Sequence, residues 1–120
     1  MGKQMKYSER DLAEKAARLV QSIDSFTDSL PLSEIYQLKK RLKYCISNLP
    51  PNIEKGLKNN GKLNRIRCFI KANGSLEECR EYLDLVEKLK YAPTDELKEM
   101  VDEIRRELVE EYAMKSNYDA

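Results

Sequence analysis

The chain has 120 residues, of which 41% are hydrophobic and 36% charged, with four glycines, four prolines and a formal net charge of +1. That length predicts one domain, and that hydrophobic content supports a core and excludes global disorder. No run of about 18 apolar residues occurs, which excludes a transmembrane helix, and the polar first ten residues lack the apolar stretch of a secretory signal, so a cytoplasmic location is expected.

Histidine is absent, which removes the commonest general acid–base, the commonest metal ligand and every His-containing triad. Cys45, Cys68 and Cys79 are odd in number and widely spaced, against the habits of a disulfide framework or a zinc site, and each lies on or beside an apolar stripe. They read as reduced, core-filling thiols. There is no P-loop, no Gly-rich cradle and no nucleophile paired with a base, so no catalytic residue, metal or cofactor is expected and the chain reads as a non-enzyme.

In chain order, residues 1–8 read as a frayed tail, with Ser8 and Asp11 spaced as an N-cap signature. From Glu9 to Asp28 the apolar residues Leu12, Ala16, Leu19, Ile23 and Phe26, continued by Leu30, recur at steps of three and four and form a heptad seam. Pro31 ends this helix. A second helix starts at Leu32 or Ser33, with the seam Ile35, Leu38, Leu42, Cys45/Ile46, Leu49 and Ile53. Pro50-Pro51 lies inside that seam and predicts a kink or short break near Asn48–Pro51, with the helix resuming to Lys55 or Leu57. Gly56 then reads as a left-handed C-cap.

Lys58 to Lys62 is polar and turn-like. Leu63 to Tyr91 reads as one long third helix, with Ile66, Phe69/Ile70, Leu76, Cys79, Leu83, Val86 and Leu89/Lys90 on one stripe. Ala72-Asn73-Gly74-Ser75 interrupts it with poor helix formers, and Asn73 falls where the stripe wants an apolar residue. Ala92-Pro93 closes this helix and Thr94 caps the fourth, whose first turn is acidic and whose seam is Leu97, Met100/Val101, Ile104, Leu108 and Tyr112. Lys115 to Ala120 reads as a disordered tail. The elements predict a single all-α domain over residues 1–120, an antiparallel up-down-up-down four-helix bundle. The structural alternative is a three-helix bundle with the first helix detached.

The small net charge hides a segregation. Residues 35–71 carry ten basic side chains and one acidic, whereas residues 72–120 carry seven basic and fourteen acidic. The basic group supplies the nucleic-acid-binding candidates Lys39, Lys40, Lys43, Lys55, Lys58, Lys62, Arg65, Arg67 and Lys71, because polyanion binding needs many cations on one surface. Lys39, Lys40, Lys43, Arg67 and Lys71 fall off the seams and are expected to face solvent. The competing reading is a solvated face, or a positive face that docks on the acidic helix of a second copy. Glu54, the lone acid among these bases, pairs with Lys58 one turn on, or is a partly buried carboxylate bonding Asn73, Ser75 or Arg65. Glu78 carries the same two readings. Asn73-Gly74-Ser75 marks close helix packing or a polar pocket.

Three runs carry a family resemblance: Leu30-Pro-Leu-Ser-Glu34-Ile-Tyr36-Gln-Leu38; Ile46-Ser-Asn-Leu-Pro-Pro-Asn52-Ile53-Glu54-Lys-Gly56; and Arg65 through Phe69-Ile70-Lys-Ala72-Asn-Gly74-Ser75-Leu-Glu-Glu78, with Tyr82-Leu83 beyond. Over about residues 12–112 the chain resembles the four-helix-bundle family of 23S rRNA intervening-sequence proteins. The most specific pieces are Asn52-Ile53-Glu54-x-Gly56 and Ala72-x-Gly74-Ser75-x-x-Glu78, which the resemblance marks, with Asn73, as a structural motif. It implies an all-α bundle that assembles as a homopentameric ring and points to nucleic-acid binding. A related branch is the accessory protein of diversity-generating retroelements. The partners expected are therefore further copies of the chain and RNA or DNA, with a protein partner as the alternative, and no membrane.

Overall fold

The computed structural model describes residues 7–31 and 35–110. Five helices follow one another: α1 (Tyr7–Ser29), α2 (Tyr36–Ser47), α3 (Leu49–Lys58), α4 (Lys62–Lys88) and α5 (Asp95–Glu110). Among the described residues there is no strand. α2 and α3 are one rod broken at Asn48, so the architecture is an all-α bundle of four rods. α1 packs on α2, α3 and α5, and α4 packs on the same three, which places α1 and α4 at opposite corners. The ends of the bundle, residues 1–6 and 111–120 with Tyr112 among them, and the expected start of the second helix at Leu32 or Ser33 lie outside the described residues.

Each rod forms because its apolar residues recur on one stripe and are buried together. Leu12, Ala16, Leu19 and Ile23 of α1 meet Leu42, Ile46, Leu49 and Ile53 of the broken rod, and Phe69, Leu76 and Leu83 of α4 meet Val101, Ile104 and Leu108 of α5. Cys45 and Cys79 fill this core as free thiols, and Cys68 is free and half-buried. Mutual contact and burial push the Cys79 thiol well above its ordinary range, so it has no thiolate character. A smaller cluster of Leu30, Ile35 and Val86, covered by Phe26, Tyr91 and Ala92, closes the end of the bundle where α1 turns into α2. α1 begins at Tyr7, so Ser8 lies inside the helix instead of capping it.

The break falls where the prolines predict it. Pro50 and Pro51 sit in the first turn of α3, where a backbone N–H has no intrahelical partner to lose. Asn52 bridges the break: its backbone N–H reaches the Asn48 carbonyl at 3.4 Å and its side-chain amide donates to the same carbonyl at 2.9 Å.

Gly56 is not a left-handed cap. No glycine has positive φ among the described residues, and α3 runs on to Lys58 with Asn59 as its C-cap. Gly56 is buried inside α3 because the Phe69 ring lies directly on its backbone. A β-carbon there would stand 2.4 Å from Phe69 Cε1 and 2.8 Å from Cδ1. The glycine is needed for a close approach between α3 and α4, not for its conformational freedom.

α4 is continuous through Ala72-Asn73-Gly74-Ser75, and of the alternatives Phe69/Ile70 the phenylalanine is buried and Ile70 is exposed. The helix stops at Lys88, short of Tyr91. Tyr91 N–H bonds the Val86 carbonyl at 3.3 Å and Lys90 N–H bonds the Glu87 carbonyl at 2.9 Å, the paired bonds of a Schellman ending. Tyr91 also packs on the Val86 cluster, the apolar contact that accompanies this motif. Lys90 takes the left-handed position with φ 60°, a conformation that strains an L side chain.

Two substitutions check these contacts. Gly56→Ala is expected to destabilise the protein by about 1–3 kcal/mol in urea unfolding despite the better helix propensity of Ala. Most of that loss should vanish in a Phe69→Leu background, and a neutral Gly56→Ala would contradict the close approach. Lys90→Gly is expected to stabilise by about 1 kcal/mol, by removing the left-handed strain; a loss of stability would contradict it.

Candidate nucleic-acid interface

Part of the acidic charge is paired within the fold. Along the α4–α5 seam, Arg105 pairs with Glu77 at 3.3 Å, Arg80 with Asp102 at 3.2 Å, and Lys98 with both Asp84 at 2.6 Å and Glu87. The partners on α5 run backward as those on α4 run forward, so these two helices are antiparallel. Asn73 extends the ladder: its amide donates to Glu77 at 3.1 Å and its oxygen accepts from Arg105 Nε at 3.4 Å. Thr94, buried at the start of α5, donates its hydroxyl to Glu87 at 3.2 Å. On the opposite seam, Lys15 of α1 holds Asp11, Glu103 and Glu107 at 3.0, 2.9 and 2.5 Å. Hydrogen bonds and attraction from Lys98 hold the Asp84 and Glu87 carboxyls below their ordinary range, and the same acids raise Lys98. Bonds from Glu107 and Glu103 raise Lys15 likewise.

The basic candidates divide into two groups. On α3 and the first half of α4, Lys55, Lys62, Arg67 and Lys71 are exposed. Lys55, Lys58 and Glu54 line a depression together with Cys68 of α4, and helical spacing sets Lys71 one turn from Cys68 on the same side. Lys55, Lys58 and Lys71 therefore share one surface across the α3–α4 seam, with Lys62 and Arg67 exposed on the same half of α4. Lys58 is exposed but pairs with Glu54 at 2.6 Å. Arg65 is half-buried with its guanidinium 5.6 Å from the Phe69 ring centroid, a cation–π contact that reinforces the α3–α4 approach.

The α2 lysines do not join that surface as a set. Lys39 is half-buried, contrary to the solvent-facing position its spacing suggests, whereas Lys43 keeps 43% of its side chain exposed and is held in a surface ion pair. Lys39 donates to the Leu30 carbonyl at 3.0 Å and Lys43 to Asp28 at 2.9 Å, so both tie α2 back to the end of α1. Lys43 lowers the Asp28 carboxyl below its ordinary range. Lys40 and Arg41 are exposed.

The remaining motif residues scatter. Glu54 is exposed and bonds Lys58, not Asn73, Ser75 or Arg65. Glu78 is also exposed and accepts from the Tyr82 hydroxyl at 3.2 Å. Asn52 spans the helix break and Gly56 carries Phe69, as described above. Asn73 belongs to the ion-pair ladder, Ser75 is half-buried, and Gly74 is exposed with no atom within 4 Å of its would-be β-carbon. The motif is thus neither a polar pocket nor, at Gly74, a close packing within the chain. The ladder itself was not read from the sequence, although its signal is there: opposite charges beside the seams of α4 and α5 at matching helical steps.

The chain is thus an all-α bundle of four rods, with ion pairs across the α4–α5 and α1–α5 seams and exposed unpaired cations on α3 and the first half of α4. It belongs to the 23S rRNA-intervening sequence protein family, which it matches over residues 8–110. No curated protein and no solved structure matches the chain. Among the described residues, no helix is long and apolar enough to cross a membrane.

The ladder makes stability depend on pH with a definite sign. Asp84 and Glu87 titrate lower in the fold than at their ordinary 3.8 and 4.5, so their contribution is present above those values and is lost as pH falls through the depressed ones. Lys98→Met should lower the thermal midpoint at pH 7, and the gap from the parent protein should narrow toward pH 3. A gap independent of pH would contradict the assignment.

Proposed function

We propose that the protein is a non-catalytic binder of RNA or another nucleic acid, and that the phosphate backbone lies across the α3–α4 surface. The observation that carries this reading is the contrast in pairing. Ion pairs through Lys15, Arg80, Lys98 and Arg105 cross the seams that α5 makes with α1 and α4, whereas Lys55, Lys62, Arg67 and Lys71 stand exposed with no ion-pair partner among the described residues and with Glu54 as the sole acid in their stretch of chain. Like charges held together without counter-charges disfavour the compact state, and a polyanion relieves that repulsion while releasing its condensed counterions. Among the described residues the strongly exposed aromatic rings, Tyr36 and Tyr44, lie on α2 and not on this surface, so recognition through phosphate, not sequence, is the chemistry it suits.

The second reading is a protein-assembly role without nucleic acid, favoured by the exposed apolar side chains Leu63, Ile70, Leu85 and Leu89 on α4 and its C-cap.

Fluorescence anisotropy with a structured RNA and with duplex DNA, across a salt series, separates the two. About four phosphate contacts predict a fall in affinity on the order of 100-fold between 50 and 200 mM salt. Lys55→Glu/Lys62→Glu/Lys71→Glu should abolish most of the binding while leaving the thermal midpoint near that of the parent. Absence of binding at low salt would refute the nucleic-acid reading.

A further inference from the structure

We infer that the outward face of α2 is a second nucleic-acid site, which takes a single strand, with unpaired bases stacked on Tyr36 and Tyr44 and the phosphates between them held by Lys40 and Arg41. The inference takes its class of ligand from the nucleic-acid reading above, but it uses residues that the α3–α4 surface does not.

The helical period builds this face. α2 buries Leu42, Cys45 and Ile46. At about 100° per residue, Tyr36, Lys40, Tyr44, Gln37 and Arg41 follow one another around an arc of roughly 140° on the opposite side. All five are exposed. On one flank of the arc, Lys39 and Lys43 are tied to the end of α1. On the other flank, Cys45 meets Cys79 of α4. The arc between these flanks is the part of α2 that its neighbours leave uncovered.

The side chains on the arc are an unusual set for a solvated helix. Tyr36 is 53% exposed and Tyr44 72%, and neither ring belongs to the core. Lys40 lies midway between the rings both along the helix and around it, and Arg41 lies beside it. α2 contains no acidic residue, so no carboxylate on this helix opposes an anion. Aromatic faces interleaved with cations are what a single strand requires, because its bases offer bare π-faces and its backbone offers phosphates.

Spacing selects the single strand over the duplex. The two tyrosines are roughly 12 Å apart along α2. Nucleotides of a duplex strand follow at about 3.4 Å, with both faces of each base already covered by its neighbours. Bases that reach both rings must therefore be splayed out along an extended strand, whose backbone passes Lys40 between them. Stacking accepts any base, so the site discriminates unpaired from paired nucleic acid and not one sequence from another.

Fluorescence anisotropy with a labelled single strand of deoxythymidines, beside duplex DNA, tests the inference. The single strand should bind the parent protein. Tyr36→Ala and Tyr44→Ala should each weaken that binding on the order of tenfold. Tyr36→Phe/Tyr44→Phe should keep it, because the phenyl face still stacks. None of these changes should move the thermal midpoint or the affinity for duplex. Lys40→Gln should instead lower the salt slope of single-strand binding by about one. Alanine variants that bind the single strand like the parent, or that lose single strand and duplex alike, would overturn the inference. Duplex binding without single-strand binding would also overturn it and leave the α3–α4 reading intact. Tyrosine-dependent single-strand binding, with no binding of duplex or structured RNA, would uphold it and refute the α3–α4 surface.

Discussion

The contact on which the arrangement depends is the Phe69 ring lying on the bare backbone of Gly56. α3 has only ten residues, too few to be stable alone, and it is severed from α2 by the break at Asn48. Its docking rests on Leu49, Ile53 and Leu57 facing the core and on the ring that the missing side chain admits. Arg65 then holds its charge against that ring. With α3 seated this closely, Lys55 and Lys58 come up to Cys68 of α4, one turn from Lys71, and part of a basic stretch of sequence becomes a basic surface. The packing contact and the candidate interface are two faces of one constraint.

Charge is distributed by whether the fold supplies a counter-charge. Lys98 bonds two carboxylates of α4 from α5, and Lys15 bonds three acids shared between α1 and α5. Half-exposed pairs of this kind add little stability each, but the network gives several of the acids on that side a counter-charge within the fold. The α3–α4 side has no comparable set of acids. Apart from Lys58, which has Glu54, its exposed cations pair with no acid among the described residues and are open to phosphates.

The seams were legible because buried positions on helices repeat with the helical period. Leu12 through Ile23, Leu42 through Ile53 and Leu97 through Leu108 announced three rods, and the paired prolines announced the break. Other features depend on contacts between segments far apart in sequence. Gly56 looked like a cap because glycine often ends helices, and only the position of Phe69 shows that it is there to be touched. Lys90 hid a Schellman ending because the left-handed residue is not a glycine. Lys39 and Lys43 looked free because their partners, the Leu30 carbonyl and Asp28, belong to the end of another helix. Gly74 could be seen as an anomaly but not interpreted, since its surroundings inside the chain are empty. The basic surface was half legible: its charges were plain, but the division between the α3–α4 group and the α2 lysines was not.

The central claim is that α3 and the first half of α4 form the surface for nucleic acid. Amide chemical shifts followed by NMR, as a structured RNA is added at low salt, test it most directly. The account predicts perturbations centred on Lys55, Lys62, Arg67 and Lys71, with the Lys98 and Lys15 networks on α5 and α1 little affected. Perturbations centred on those networks instead, or spread evenly over the bundle, would contradict it.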